Sequence, residues 1–524
     1  MPVLVAAADW SVQRMKEFTA QGLANMVWAV AHLDLQNEIQ LLALADAVID
    51  KASLLQTQNV ANIAWAFGRL AVRNSRLLQA LSTRLQNTAG FDPQNISNTF
   101  WAFATLLCHD AALMTKLAQE AHQQMDRFGG QDVSNVVWSF ATLMLQDWPL
   151  VCALRVAALR NQPQMQPQHL SNTVWAYSTL QVPVLELCPA CIVRLPEFDL
   201  QGLANVSWAV ANSIYSDHPL LEATERLLCS SQILDMHCQI TSADVYWEMS
   251  RFSNHICQLI WAFSFSGRLT PDLGERLKRT LLDIGLNLDR MELEPHSERE
   301  PKKATGAEIS SSLKETGRPR ILTKLQGISV IYKPPGWEVD AKGQSNLQSG
   351  LPLSAFVQEQ EISRVVRLAA FEYGFIHRLD VPSSGLLLVG TNFLGLAMLQ
   401  WQMHMYSISR EYVVLTADCW PAVIGNVDVP VQDFLPGRSF VDANGRPADT
   451  RVKAIGHYET LLRRGQVSLI GIAIYTGRRH QIRVHCQWQG FPTVTDEKYA
   501  AATVVVQACA AERTEFVKAN VFGK

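Results

Sequence analysis

In the fragment "QNISNTFWAFATLL", which starts at residue 94, the apolar positions Ile96, Phe100, Phe103 and Leu107 recur at helical spacing. On a helix they share one face, and Gln94, Asn98 and Trp101 fall on the opposite one. The same order of polar and apolar positions returns as "QGLANMVWAVA" from 21, "QNVANIAWAFG" from 58, "QDVSNVVWSFA" from 131, "QHLSNTVWAYS" from 168 and "QGLANVSWAVA" from 201. A degenerate seventh copy, "NHICQLIWAFS", starts at 254. Its tryptophan closes the series Trp28, Trp65, Trp101, Trp138, Trp175, Trp208 and Trp261, whose members are separated by 37, 36, 37, 37, 33 and 53 residues. A period of about 37 residues leaves room in each unit for two helices and their turns. One helical hairpin cannot bury its apolar face alone, so neighbours stack, and residues 1–285 are predicted to form an all-α solenoid with an extended concave surface.

Asn25, Asn62, Asn98, Asn135, Asn172 and Asn205 keep the same register in six copies. Each amide could contact one nucleotide, as in helical repeat readers, or each could satisfy a backbone group of the neighbouring repeat while the tryptophans fill the interface. Near-invariance favours the structural reading, because sequence readout requires variation from repeat to repeat. Readout residues are then expected elsewhere on the concave helices.

From residue 286 the pattern stops. "LEPHSEREPKKATGAEISSSLKETGRPR" is charged and rich in Ser, Pro and Gly, with hardly any apolar periodicity, so 286–320 reads as a flexible linker. Beyond it the period switches toward strands: "ISVIYKPPGWEVD" reads as strand, Pro-Gly turn and strand, and "GLLLVGT", "REYVVLTADC" and "VSLIGIAIYTGRR" as further strands. "LGLAMLQWQMHMY" and "HQIRVHCQWQG", the latter stopped by Gly490, read as helices. Residues 321–524 are thus expected to be an α+β domain with a mixed sheet.

Composition changes this picture little. The chain has 524 residues, enough for at least two sizeable cores, and no window approaches 18 uninterrupted apolar residues, so no membrane span is expected. The first residues, "MPVLVAAADW", lack the positive start of a secretory signal and the Arg- and Ser-rich character of a transit peptide. A formal net charge of −3 requires any nucleic-acid binding to come from a local patch. Ten cysteines in a chain of this length sit mostly in apolar surroundings, which points to a reduced intracellular protein. The close pair Cys188 and Cys191, with His237 and Cys238 elsewhere, does not make the two tight ligand pairs of a structural zinc site, so no metal is expected.

The stretch "GFIHRLDVPSSGLLLVG", residues 374–390, sets Asp380 beside His377 and Arg378 just before an apolar run. With "YKPPGW", "REYVVL" and "TGRRHQIRVHCQWQGFPTVTDEKY" it completes four ordered motifs that resemble the RluA family of pseudouridine synthases, over about residues 325–500. The repeated Gln-x-x-(Ala/Ser)-Asn-x-x-Trp unit resembles the heptatricopeptide and octotricopeptide repeats of organellar RNA-binding proteins, over about residues 15–280. The first resemblance implies an isomerase that acts on RNA without a cofactor. Asp380 would attack C1′ of the target uridine or remove its C2′ proton, Tyr412 would stack under the base and handle a proton, and Arg483 would pair with the aspartate. His377, Arg378, Arg478 and His480 would bind the substrate, and Arg378 or Arg478 would share the pairing or hold phosphates. Three departures from the family pattern, Ser383, Arg479 and Thr495, remove no reacting group. The chain ends soon after Tyr499 in a segment that matches no family motif.

Rival readings fail on spacing. A kinase catalytic loop would need a Gly-rich phosphate loop upstream, and His480 and His485 lie five apart, off a common helical face. A non-catalytic organellar RNA-binding factor remains the main alternative, opposed by the retained Asp380, Tyr412 and Arg483. The repeats would bind RNA or a protein partner. The repeat resemblance suggests a plastid or mitochondrion by analogy only, and the compartment stays open.

Overall fold

The computed structural model describes residues 14–35, 37–183, 185–212, 219–235, 245–293, 317–339, 351–432, 438–443, 445–459, 466–494, 496, 498, 499 and 519–522. Each repeat is a helical hairpin. The first helices are α1 (Ala20–His32), α3 (Thr57–Arg69), α5 (Pro93–Thr105), α7 (Gly130–Leu143), α9 (Pro167–Thr179), α11 (Leu200–Ala211) and α13 (Val245–Phe265). Their partners are α2 (Glu38–Asp50), α4 (Ser75–Gln86), α6 (Ala111–Gln123), α8 (Trp148–Asn161), α10 (Cys188–Arg194), α12 (Pro219–Ser230) and α14 (Pro271–Leu293).

Local chemistry starts and stops these helices. Asp92, Asp110, Asp147 and Asp199 stand at N-caps, where their carboxylates accept backbone amides three residues on, at 2.7–3.1 Å. Six residues after each of the first five tryptophans the chain turns through a left-handed residue, Asp34, Ala71, Leu107, Met144 or Gln181, with φ between 49° and 60°. That turn corrects one expectation. Leu107 lies beyond the end of α5, in the left-handed turn, and is 47% exposed, whereas Ile96, Phe100 and Phe103 are fully buried.

One continuous apolar core runs through the array. Successive first helices pack closely on one another and the second helices touch each other less, so the array curves with the first helices inside. The seven tryptophans and the asparagines of the first five repeats sit on that inner, partly exposed face, while Asn205 is buried. The expected structural duty of the asparagines is not what the geometry shows. Among the described residues the side chains of Asn62, Asn98 and Asn135 make no hydrogen bond, and Asn205 donates to the Asn172 side chain at 3.2 Å rather than to backbone.

The C-terminal part is built on two antiparallel sheets. β1 (Arg320–Leu325), β2 (Ile328–Lys333) and β3 (Gly385–Gly390) form one, in that order. The other runs β7 (Ala519–Phe522), β5 (Thr450–Glu459), β6 (Gln466–Ile474), β4 (Arg410–Ala417). The parallel pairing that makes the class mixed is, among the described residues, the short ladder of Trp337–Glu338 with Leu351–Pro352. Three helices complete it: α15 (Leu353–Gln360), α16 (Phe393–His404) and α17 (Gln481–Trp488).

The two parts meet in a built seam. Helix α14 runs to Leu293, so residues 286–293, expected in the linker, are its last turns; 294–316 lie outside the described residues. Asp289 of α14 accepts the backbone amides of Phe393 and Leu394 at 2.8 and 3.0 Å, capping α16 from another domain. Gly285 lets the helices approach that closely, because a Cβ there would stand 2.8 Å from the Phe393 carbonyl and 2.9 Å from the Leu394 Cα. Met249, Ile284 and Leu288 share a core with Ile331, Leu387 and Val389, and Tyr246 stacks on Phe393 at 5.6 Å.

Candidate active site

Asp380 lies in the loop that enters β3. The "YKPPG" turn grips this loop from behind: Gly336 N donates to Val381 O at 2.8 Å, and the fully buried Lys333 Nζ donates to Pro334 O, Val381 O and Ser383 O at 3.1, 3.2 and 2.6 Å. Ser383 N closes the turn on Asp380 O at 3.0 Å. Burial pushes the Lys333 ammonium down to about 8, and the nearby Asp380 anion pulls the other way. Three carbonyls for three N–H groups fix the backbone on which the aspartate rides.

Arg483 comes from α17, below the second sheet. It reaches Asp380 Oδ2 through Nη1 at 3.4 Å, and the Asp380 side chain keeps 39% of its surface open. Its stronger partner is Asp496, which it grips with two N–H groups, Nε to Oδ2 at 2.6 Å and Nη2 to Oδ1. Burial disfavours the Asp496 anion, but the hydrogen bonds from Arg483 and Thr493 outweigh it and hold the carboxyl below its ordinary range. The Arg483 guanidinium also lies over the Tyr499 ring, 4.9 Å from its centroid. Asp496 therefore aims Arg483 at Asp380.

Tyr412 sits on β4. Burial raises its phenol above the usual value, Arg410 opposes this, and the Asp380 anion adds to it, so the phenol is protonated and within the field of the carboxylate. Arg410 in turn donates to Tyr475 O. The turn before α17 is pinned by the buried Gln481, which accepts from Thr476 Oγ1 and Arg478 N and donates to Asp449 O and Thr450 Oγ1. That turn presents His480 in a left-handed conformation, φ 56°, bonded through Nδ1 to the Tyr499 hydroxyl at 2.9 Å. Burial lowers the His480 pKa, with Arg483 adding to the effect, and Asp380 opposes it.

Asp380, Arg483, Tyr412 and His480 thus gather in one place. Of the other expected substrate ligands, His377 and Arg478 are engaged elsewhere. His377 accepts Leu388 N at its Nε2 at 3.3 Å, and burial, with Arg410 beside it, pushes its imidazole down to about 4, so it is a neutral wedge under β3. Arg378 is exposed. Arg478 donates Nε to Pro447 O at 2.9 Å and lies over the Trp261 ring of the array, 6.0 Å from its centroid. Sequence reasoning missed Asp496, Lys333, Tyr499 and Gln481 as the scaffold of the site. All four stand inside the motifs themselves, in "YKPPGW", "TGRRHQ" and "TVTDEKY", and membership of those motifs is the available signal. Among the described residues no group of His, Cys, Asp and Glu is arranged to hold a metal ion.

Residues 327–488 match the family model described as RNA pseudouridylate synthase, and the C-terminal part carries a domain of that family. Residues 66–186 match the model of the RNA-editing substrate-binding complex 6 protein, and this region is helical repeat throughout its described residues. Among curated relatives, the ribosomal large subunit pseudouridine synthase C of Vibrio parahaemolyticus serotype O3:K6 is 32% identical over 171 residues, covering 32% of this chain and 49% of that protein. The synthase of the same name from Escherichia coli strain K12 is 32% identical over 183 residues, 34% of this chain and 52% of that one. The chain spans about half the length of the curated relatives it matches. A human protein, RNA Pseudouridylate Synthase Domain Containing 4, is 20% identical, with 35% of this chain and 70% of that chain covered at a TM-score of 0.27.

Proposed function

We propose that this chain isomerises uridine to pseudouridine in RNA and that the repeat array selects the RNA. The observation that carries the reading is the half-open Asp380 carboxylate held against Arg483 beside the protonated Tyr412 phenol. The reaction breaks the C1′–N1 glycosidic bond of a flipped uridine, turns the uracil and rejoins it through C5. Asp380 attacks C1′ or takes the C2′ proton; both routes need the carboxylate ionised. Tyr412 supplies the platform under the base, and its hydroxyl relays a proton, giving its own to the freed N1 and taking the one that C5 gives up. The helical region adds an extended surface, which a synthase domain reading little more than one flipped base lacks.

The test is conversion of uridine in total cellular RNA by the purified full chain, read as pseudouridine after nuclease digestion, with Asp380→Asn alongside. Pseudouridine from the unaltered chain and none from the variant supports the reading. Equal conversion by both sinks the assignment of Asp380. A chain that binds RNA but converts none in either form favours the non-catalytic alternative.

A further inference from the structure

The array does not end blindly against the synthase domain. On its inner face the indole rings of Trp175 and Trp208, and of Trp208 and Trp261, lie 6.3 Å apart with tilts of 36° and 38°, and Trp65 and Trp101 repeat the arrangement at 6.5 Å and 34°. The constant tilt is the rotation of the solenoid itself. At the last two rungs the neighbours change. Arg446 of the synthase domain lies over Trp208, 5.7 Å from the ring centroid, and Arg478 lies over Trp261. Arg478 is two residues from His480 and five from Arg483, which touches Asp380. Tyr406 lies against Trp261 within the fields of Arg478 and Arg410, and Arg410 acts on Tyr412. Guanidinium groups and aromatic rings thus lie between the carboxylate and the last two rungs of the ladder.

We infer that the candidate active site and the inner face of the array are one track for a single strand of RNA. The nucleotides next to the target uridine lie between Trp208, Trp261, Arg446 and Arg478, and the strand continues along the tryptophan and asparagine columns. This rests on the function proposed above and specifies where the substrate runs. Single-stranded RNA fits the chemistry: stacked aromatic platforms take bases of any identity, and guanidinium groups placed beside them take phosphates. The amides of Asn62, Asn98 and Asn135 carry no hydrogen bond among the described residues and face the same groove, ready for base or sugar groups. The chain as a whole is slightly acidic, with a net charge of −3, so the arginines at this junction supply the local positive field that a polyanion requires. A near-invariant ladder of this kind grips the strand without reading it, which leaves selection of the RNA to the residues of the concave helices that vary between repeats.

The test measures the affinity of the full chain for fluorescein-labelled oligouridylates of about three and about twelve nucleotides, at low and physiological salt. The long probe is expected to bind at least tenfold more tightly than the short one, with a steeper salt dependence. Arg446→Gln is expected to weaken both probes several-fold. Asn98→Ala combined with Asn135→Ala, far along the array and on its surface, is expected to weaken only the long probe, with the melting temperature unchanged. A long-probe affinity that neither set of substitutions moves overturns the track, and conversion of uridine by the same preparation then leaves the synthase reading standing. Failure of the unaltered chain to bind either probe also overturns the track, and conversion of uridine then decides the synthase reading by itself.

Discussion

The array and the synthase domain solve the problem of holding a functional surface in opposite ways. In the array one hairpin is made seven times over, and each repeat touches mainly its neighbours, so the surface does not hang on one side chain. In the synthase domain single side chains hold segments far apart in sequence: Lys333 ties a loop about fifty residues away, and Arg483 reaches Asp380 across 103. Redundancy suits a surface that grips a long ligand additively, whereas a reaction at one atom requires one group in one place. Substitutions in the synthase domain should therefore act as switches and those in the array as adjustments.

The sharpest break is expected at Asp380. Asp380→Asn keeps the hydrogen-bonding shape but neither attacks nor accepts a proton, so turnover should fall by about a thousandfold or more with little change in melting temperature or RNA affinity. Single-turnover rates on bound RNA read this directly, and a merely tenfold loss would mean that another group does the chemistry.

Arg483→Met comes next, and it should be a stability variant as well as a catalytic one. It strands the Asp496 carboxylate, 5% exposed, without its bidentate partner, at a cost of about 3–5 kcal/mol. Because Asp496 is held below its ordinary range in the fold, it contributes stability above the unfolded carboxylate pKa, and that contribution is lost as pH falls through the lower folded value. Arg483→Met combined with Asp496→Asn should recover much of the stability and none of the turnover. Recovery of both in denaturant titrations and rate assays would show that Arg483 serves only the fold.

The third break is a matter of pH. Lys333 is pushed down to about 8, below its unfolded value of 10.5. Between those values the unfolded chain binds the extra proton, so the contribution of this group to stability rises with pH rather than falling. The neutral amine has two N–H groups for three carbonyls, however, and the Asp380 loop loosens. Turnover should decline above about pH 8, ahead of any loss of folded structure by circular dichroism. A flat rate profile to pH 9 would remove Lys333 from the organisation of the site.

The two regions also differed in what their sequences disclosed. The period of the tryptophans was enough for the hairpins and their stacking, because an arrangement built seven times leaves a pattern that no accident reproduces. What it could not show was a boundary effect: Leu107 kept the apolar spacing while the chain had already left the helix in a left-handed turn. In the synthase domain the ordered motifs pointed to Asp380, Tyr412 and Arg483, which the fold brings together. Asp496 and Lys333 were less visible, because one acts through Arg483 thirteen residues away and the other through carbonyls about fifty residues away, pairings that no local pattern encodes. The same limit explains His377, which stands next to the reacting loop in sequence but turns its imidazole toward the β3 backbone. The seam was the least legible feature. Charge and low hydropathy after residue 286 read as a tether, yet the last turns of α14 use Asp289 and Gly285 as fitted parts of another domain's helix end.

That seam supports the smallest and most discriminating prediction. If the array and the synthase domain were independent modules on a tether, Asp289→Ala would change nothing but a surface charge. With Asp289 as the cap of α16, its removal leaves the Phe393 and Leu394 amides without their acceptor and costs about 1 kcal/mol. Gly285→Ala presses a methyl against backbone atoms that have no room to yield, and should cost about 1–3 kcal/mol by overpacking. Neither substitution touches the Asp380 cluster. Both should lower the stability of the synthase domain in the full chain, and with the ladder displaced from Arg446 and Arg478, both should weaken binding of a long oligouridylate more than that of a short one. Hydrogen exchange at the α16 amides reads the first effect locally, and unchanged protection there in both variants would return the two regions to the status of separate modules.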